Sequence, residues 1–164
     1  MNVSQGNFSL KSFLEPSETQ KGVVYENFSG GFRLARTGIA ISDVNQILAS
    51  PFCVIAEKNK EILLQKIHEI CKKEKIEKII VGLPRNMDGS EGESAKNCKD
   101  FASTLSDITN LPVTMVDERC TTITAHNFLN ENNVRRKKRK NVVDSVAASV
   151  ILQNYLDFFQ QNFN

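Results

Sequence analysis

Carboxylates stand at two places where a strand or a helix could hold them near one another. The apolar run 113–116 stops abruptly at the adjacent residues Asp117 and Glu118. Asp144 lies farther along, among small residues that would let a helix pack close to a sheet. Carboxylates at strand ends, without cysteine or histidine ligands, suit Mg²⁺ or Mn²⁺. Such ions can orient a phosphodiester, generate hydroxide and stabilise the leaving oxygen. Asp117, Glu118 and Asp144 are therefore candidate catalytic residues.

Each of these residues also has a plain structural interpretation. Asp144 follows Asn141 by three positions, as the third residue of a capped helix would. Asp117 and Glu118 fit a solvated strand end, with Arg119 as a surface ion pair. Thr121 and Thr122, which follow, fit a helix cap as well as a phosphate contact.

Positive charge is concentrated in one stretch, RRKKRK at 135–140, which holds six of the 21 basic residues. The remaining 15 basic residues face 19 acidic ones, so the rest of the chain is mildly acidic. Such a run fits a solvated loop or a localisation signal. A tight basic patch beside carboxylates favours a phosphate-bearing partner instead.

Hydrophobic periodicity predicts an α/β domain with a mixed sheet. Strands are predicted at residues 23–28, 36–43, 50–56, 78–84 and 111–116. Helices are predicted at 58–74, from about 90 to 107, from Thr121 or Thr122 to about 130, and from about 140 to 159. The stretch NNVRRKKR at 132–139 is predicted to be a loop, and Gly38 is predicted to mark a bend or a close backbone approach. A functional site is expected beyond the carboxyl ends of the parallel strands, near residues 82–84 and 117–119.

Length and composition fit one globular domain of 164 residues. We expect a loosely ordered extension at 1–21 and a single domain at 22–160. The start lacks the pattern of a secretory signal, and no apolar run is long enough to span a membrane, so the expected location is cytoplasmic. The four cysteines lie far apart, without zinc-ligand spacing, and are expected to be reduced.

Three segments taken together resemble the YqgF/RuvX family: GLPRNMDG (82–89), DERCTT (117–122) and RRKKRKNVVD (135–144). The resemblance covers roughly residues 36 to 157. These proteins are Holliday-junction-resolvase-like and are described as pre-16S rRNA processing nucleases. The resemblance implies an RNase H-like (RuvC-type) fold, with a mixed five-stranded sheet flanked by helices. It also implies divalent-metal-dependent cleavage of phosphodiester bonds, in pre-rRNA or branched DNA, by a monomer or a homodimer.

The resemblance also assigns roles to matching positions. Glu118 and Asp144, with Asp117 beside them, would hold Mg²⁺ or Mn²⁺. Residues placed where nucleic acid could approach are Arg36, Asn86, Arg119, Thr121, Thr122, Arg136, Lys137, Lys138 and Arg139. Arginine and lysine there would contact phosphates and give a salt-dependent, largely sequence-blind affinity.

The chain departs from the family at its first strand, where the usual first aspartate falls on Gly31. Losing one carboxylate weakens a metal site and its stabilisation of the transition state. Three explanations compete: a nuclease fold that binds nucleic acid without cutting it, substitution by Glu26 or Asp43, or a local reading-frame slip before Leu34.

The sequence is therefore compatible with three functions. One is a metal-dependent nuclease acting on structured nucleic acid, most consistent with 5′-end processing of pre-16S rRNA. Another is a catalytically impaired module that binds nucleic acid through the same fold. The third is a small α/β protein whose basic run binds an acidic protein partner.

Overall fold

The computed structural model describes residues 20–27, 36–117, 130 and 136–163. The strands in these ranges are β1 (Gln20–Asn27), β2 (Arg36–Ser42), β3 (Ala49–Ala56), β4 (Ile76–Leu83) and β5 (Val113–Asp117). The helices are α1 (Lys60–Lys73), α2 (Glu93–Thr109) and α3 (Arg136–Phe163). The mixed α/β architecture predicted from the sequence is confirmed.

Strand pairing fixes which strand ends meet. The order across the sheet is β3-β2-β1-β4-β5. Strand β1 is antiparallel to β2 and parallel to β4, while β5 is parallel to β4 and β3 is antiparallel to β2. The carboxyl ends of β1, β3, β4 and β5 therefore lie along one edge with the start of β2. We call this edge, from Ala56 through Arg36, Asn27 and Leu83 to Asp117, the site edge.

Both faces of the sheet carry a hydrophobic core. On one face, α1 and α2 pack against alternate strand residues, including Ile39, Ile79 and Val81. On the other face, α3 packs against Ala40 and Ile80. Neighbouring residues of a strand point to opposite faces, so the continuous apolar run of β4 serves both cores.

The first two helices follow the sequence pattern closely. Leu63, Ile67 and Cys71 recur on one side of α1 and are buried, as a period of 3.6 residues requires. The Asn59 side chain accepts hydrogen bonds from the backbone N–H groups of Glu61 and Ile62, which caps the start of α1. Burial raises the pKa of the Cys71 thiol to about 11, which suits an inert core cysteine.

Helix α3 begins earlier than the sequence pattern predicts. Residues 136–139 are helical, so the predicted loop is wrong at these residues. Arginine and lysine are good helix formers. A run of basic residues has no apolar period, so hydrophobic periodicity does not predict a helix there.

The remaining predictions fall partly or wholly outside the described ranges. The helix predicted from Thr121 or Thr122 lies there except for residue 130, which is helical. The division into an extension at 1–21 and a domain at 22–160 stays a prediction. In the described part of the chain, no helix combines the length and apolarity that crossing a bilayer needs.

Candidate functional site

Asp144 is held against the sheet in the third turn of α3. Only 6% of the residue is exposed. Its backbone lies against β2 so closely that a Cβ atom on Gly38 would stand 2.0 Å from the Asp144 carbonyl oxygen. The close approach predicted at Gly38 is confirmed. The capping interpretation of Asp144 is wrong, because the helix begins eight residues before it and Asn141 lies inside the helix.

The site edge gathers several of the predicted residues. Asp117 ends β5 and pairs with Leu83 of β4. Arg36 begins β2, two residues before Gly38, and pairs with Asn27 of β1. Asp117, Arg36 and the Asp144 turn of α3 therefore all lie at or near this edge, as parallel-strand geometry predicts.

The two faces of the sheet separate Asp117 from Asp144. Val113 and Met115 pack against the core under α1 and α2, whereas Val116 packs against the core under α3. Asp117 follows Met115 by two residues and Val113 by four. It therefore lies on the same face of the sheet as they do, opposite α3. Asp144 approaches the edge from the α3 side.

Asn86 lies at the site edge within a tightly bonded turn after β4. Its backbone N–H donates to the Ser90 carbonyl at 2.9 Å, and its side-chain amide donates to Ser90 Oγ at 2.8 Å. Asp88 Oδ1 accepts from both the N–H and the hydroxyl of Ser90. Gly89 has a φ of 87°, which glycine adopts readily. The amide of Asn86 therefore helps to close the turn that follows the strand.

Exposed ion pairs tie this turn to α2. Glu91 pairs with Lys99 and, at 3.2 Å, with Arg85. The Lys99 ammonium is the main reason that the pKa of the Glu91 carboxyl lies below its usual value, and Arg85 adds to the effect. Salt screens such surface pairs, so they orient the turn more than they stabilise the fold.

The two suggested substitutes for the missing aspartate lie at different places. Asp43 follows β2 at the edge opposite the site edge, where its Oδ1 accepts from the N–H groups of Ile47 at 2.7 Å and Leu48 at 2.9 Å. It closes the β2–β3 turn. Glu26 lies near the site end of β1 and pairs with Thr37 of β2.

The other predicted site residues are described only in part. Arg136, Lys137, Lys138 and Arg139 form the first turn of α3. The residues outside the described ranges are Gly31, Glu118, Arg119, Thr121 and Thr122.

The described carboxylates fit part of a metal site. Asp117 and Asp144 offer oxygen donors, which Mg²⁺ and Mn²⁺ prefer. Within residues 36–117 and 142–162, however, three or more histidine, cysteine, aspartate or glutamate side chains do not converge on one point. Asp117 belongs to the face opposite α3, so carboxylates that would share one ion with Asp144 would have to come from residues outside these ranges, which include Glu118.

Thr37, a polar residue near the site edge, is not among the functional residues predicted from the sequence. Thr37 is fully buried between Arg36 and Gly38, and its hydroxyl has no hydrogen-bond partner among the described residues. A threonine in an apolar strand is common, so its type gave no signal. Its neighbours Arg36 and Gly38 were the only cue in the sequence.

Two solved structures resemble the chain in three dimensions. The T. thermophilus RuvC protein, solved with a Holliday junction substrate, aligns with a TM-score of 0.49 at 10% identity and covers 87% of this chain and 97% of its own. The Fowlpox virus resolvase, solved with Holliday junction DNA, aligns with a TM-score of 0.45, also at 10% identity. It covers 83% of this chain and 98% of its own.

Sequence relatives are much closer. A protein of Protochlamydia amoebophila is 43% identical over 133 residues, which are 77% of this chain and 89% of the relative. A protein of Halothermothrix orenii is 46% identical over 123 residues, which are 75% of this chain and 88% of the relative. Both carry the provisional name pre-16S rRNA nuclease.

A family model agrees with these relatives. The model described as "RuvX: Holliday junction resolvase" matches residues 32–158, which is well over half of the chain. The match includes β2 to β5 and most of α3, together with the turn after β4 and the basic start of α3. The chain therefore belongs to the RuvX family.

Proposed function

We propose that the chain is a metal-dependent nuclease that cleaves phosphodiester bonds in structured RNA, at the 5′ end of pre-16S rRNA. The observation that carries this proposal is the buried carboxylate of Asp144, pressed against β2 next to the site edge. Ligands of open α/β sheets bind beside the carboxyl ends of parallel strands, which is where α3 brings Asp144. A carboxylate at that position has the oxygen donors that a divalent cation prefers.

The proposed ligands are Asp144 and Glu118. Asp117 belongs to the face opposite α3, so we take Glu118, which the resemblance to the family names as a metal ligand, as the partner of Asp144. When bound, Mg²⁺ or Mn²⁺ would supply a polarised water and charge stabilisation for the leaving oxygen. The chain itself would orient the phosphodiester and hold it by its phosphates.

The start of α3 supports a polyanionic substrate. A helix N-terminus carries the positive end of the macrodipole, so basic side chains there oppose it. The first turn of α3 holds only basic residues at 136–140 and no acidic one. Basic residues at this position destabilise the isolated helix. They become favourable when phosphates bind against them. We therefore propose residues 136 to 139 as the phosphate-binding surface, and Arg36, Asn86, Arg119, Thr121 and Thr122 as further contacts to nucleic acid.

The test is a cleavage assay on a labelled structured RNA and on a four-way DNA junction, with Mg²⁺ or Mn²⁺ against EDTA. Asp144→Asn preserves the size of the buried side chain but removes its charge. We expect it to slow metal-dependent cleavage by about 100-fold or more, as the loss of one electrostatic catalytic group does. Its circular dichroism spectrum should match that of the wild type.

Two outcomes bear on the roles assigned here. Equal cleavage by Asp144→Asn and the wild type would remove Asp144 from the site. A preference for RNA over the junction would support the rRNA role, whereas the reverse preference would favour branched DNA.

A second candidate function is nucleic-acid binding without turnover. It is favoured by the departure at Gly31, onto which the resemblance to the family places the first aspartate. Gly31 lies just outside the family match, which begins at residue 32. Gly31→Asp separates the two candidates. Cleavage that appears only in this variant would identify a disarmed nuclease, and binding without cleavage by either form would favour a binding module.

A further inference from the structure

Gly38 lies where α3 comes closest to the sheet. A Cβ atom there would stand 2.0 Å from the carbonyl oxygen of Asp144, 2.2 Å from its carbonyl carbon and 2.7 Å from the backbone nitrogen of Ser145. Real Cβ atoms essentially never come within 3.0 Å of such neighbours. All three neighbours are backbone atoms, so no change of side-chain rotamer could make room.

The surrounding contact is built from small residues. On β2, Ala40 faces the same core as α3, and on α3 the residues next to Asp144 and one turn later are Ser145 and Ala148. Each is at most 4% exposed. Glycine weakens a strand interior, so its presence in a strand otherwise rich in β-branched residues calls for a reason such as close backbone approach.

We propose that Gly38 is a positioning residue for the candidate metal site. Its missing side chain lets α3 settle on β2 and thereby sets how far the Asp144 carboxylate stands from the site edge. This inference rests on the proposed function, since it depends on Asp144 being a metal ligand. Any side chain at position 38 would have to move the Asp144 turn outward by about 1 Å, and a misplacement of that size can slow a reaction about 100-fold.

The experiment compares the full chain with Gly38→Ala in two assays. Mn²⁺ titration followed by electron paramagnetic resonance should show at least tenfold weaker ion binding in the variant. Cleavage of the structured RNA should fall by about 100-fold in kcat, with little change in KM for RNA, because the basic start of α3 is untouched. A purely structural role would not produce this split between kcat and KM in a folded variant.

Gly92→Ala is the matched control. Gly92 precedes α2, and a Cβ atom there would meet only the Asn86 side-chain nitrogen, at 4.0 Å, which is ordinary contact. We expect its Mn²⁺ affinity and cleavage rate to equal those of the wild type. A loss as large as that of Gly38→Ala would mean that any added methyl disturbs the protein, and would overturn the inference.

A double variant separates this inference from the function beneath it. If Gly38 acts through Asp144, then Gly38→Ala should weaken Mn²⁺ binding no further once Asp144→Asn is present. An Asp144→Asn variant with unchanged Mn²⁺ affinity would overturn the proposed metal site and the inference together. An Asp144→Asn variant with weakened binding, beside a folded Gly38→Ala variant with unchanged binding, would overturn the inference alone.

A milder variant covers the case in which Gly38→Ala does not fold. Ala40→Ser adds one atom on the same face of β2, two residues farther from the site edge. It should weaken Mn²⁺ binding by a smaller factor than Gly38→Ala is expected to. Unchanged binding by a folded Ala40→Ser protein would then overturn the inference.

Discussion

Two aspartates show how surroundings decide what one residue type does. Asp43 is a surface residue whose carboxylate closes the turn between β2 and β3. Asp144 is buried on α3, with its backbone against Gly38. The first has its charge matched locally by backbone N–H groups, which makes it structural. The second lies near the edge where the carboxyl ends of parallel strands meet, which makes it the better candidate for chemistry.

The turn at Asp43 gives a prediction about stability and pH. The N–H of Leu48 is the main cause that lowers the pKa of Asp43 below the ordinary value of 3.8, and the N–H of Ile47 adds to it. A carboxylate with a depressed folded pKa stabilises the fold above the ordinary value. It loses that contribution as the pH falls through the lowered folded pKa. We expect Asp43→Ala to lower the free energy of unfolding by about 1 kcal/mol near neutral pH.

Urea unfolding at pH 6 and at pH 3 measures this effect. The difference between Asp43→Ala and the wild type should shrink at pH 3. Asp43→Asn keeps one acceptor oxygen and should lose less than Asp43→Ala. A difference that grows towards acid would contradict the assigned cause.

Among the helices and strands, α3 carries a basic stretch, a candidate metal ligand and a core-packing face on one element. Its first turn is basic, its third turn holds Asp144, and its later turns pack on Ala40 and Ile80. Near its end, Gln153 donates to the Ile47 carbonyl and accepts from the Ala49 N–H, which fastens the helix to the far edge of the sheet. Lys78 of β4 also donates to the Tyr155 hydroxyl at 2.7 Å. The helix is thus fixed at the end remote from the site.

Neutralising residues 137 to 140 with glutamine should change binding and stability in opposite directions. Positive charges near a helix N-terminus oppose the macrodipole. Removing them should therefore leave the melting temperature equal or raise it slightly. RNA binding should weaken similarly for all sequences. The slope of log affinity against log salt should flatten by up to about 3, at about 0.7 per lost phosphate contact. Fluorescence anisotropy at several salt concentrations measures both.

Lys72 and Lys73 in the last turn of α1 provide the control for that experiment. Their replacement by glutamine should leave the salt slope unchanged, because α1 ends away from the site edge. A loss of affinity for one RNA sequence only would contradict a phosphate-binding role for α3 and would indicate base contacts instead.

For the whole molecule, β1 is the strand on which the sheet depends. It lies between β2 and β4 and bonds to both through its backbone. Removing residues 1–19 leaves this pairing intact, so we expect the truncated chain to keep its melting temperature and its RNA affinity. Removing residues 1–27 deletes the central strand and should abolish cooperative unfolding. Thermal melts followed by circular dichroism distinguish the two truncations.

The same experiment tests the domain boundary expected near residue 22. A large loss of stability on removing residues 1–19 would show that the extension belongs to the folded domain. A stable protein lacking residues 1–27 would instead mean that another segment supplies the central strand.

The sequence predicted elements with a clear apolar period better than it predicted helix starts. A continuous apolar run located β4, and a period of 3.6 residues located α1, because buried positions take apolar residues. The start of α3 was missed since six consecutive basic residues carry no period. Asn141 then resembled a cap, because an Asn three residues before an acidic residue is a common start signal. The sequence predicted a bend or a close backbone approach at Gly38. It did not identify Asp144 as the contact, because Asp144 is distant from Gly38 in the chain.

The constant rise of an α-helix sets the distance between the basic start of α3 and Asp144. Asp144 lies eight positions after Arg136, the first residue of α3. At about 1.5 Å per residue, eight positions span about 12 Å along the axis. That length corresponds to about three to four base pairs of duplex at 3.4 Å each. A protein that grips phosphates with one end of this helix and cuts beside Asp144 would place its cut at a near-fixed, short step from the grip, whatever the bases between them.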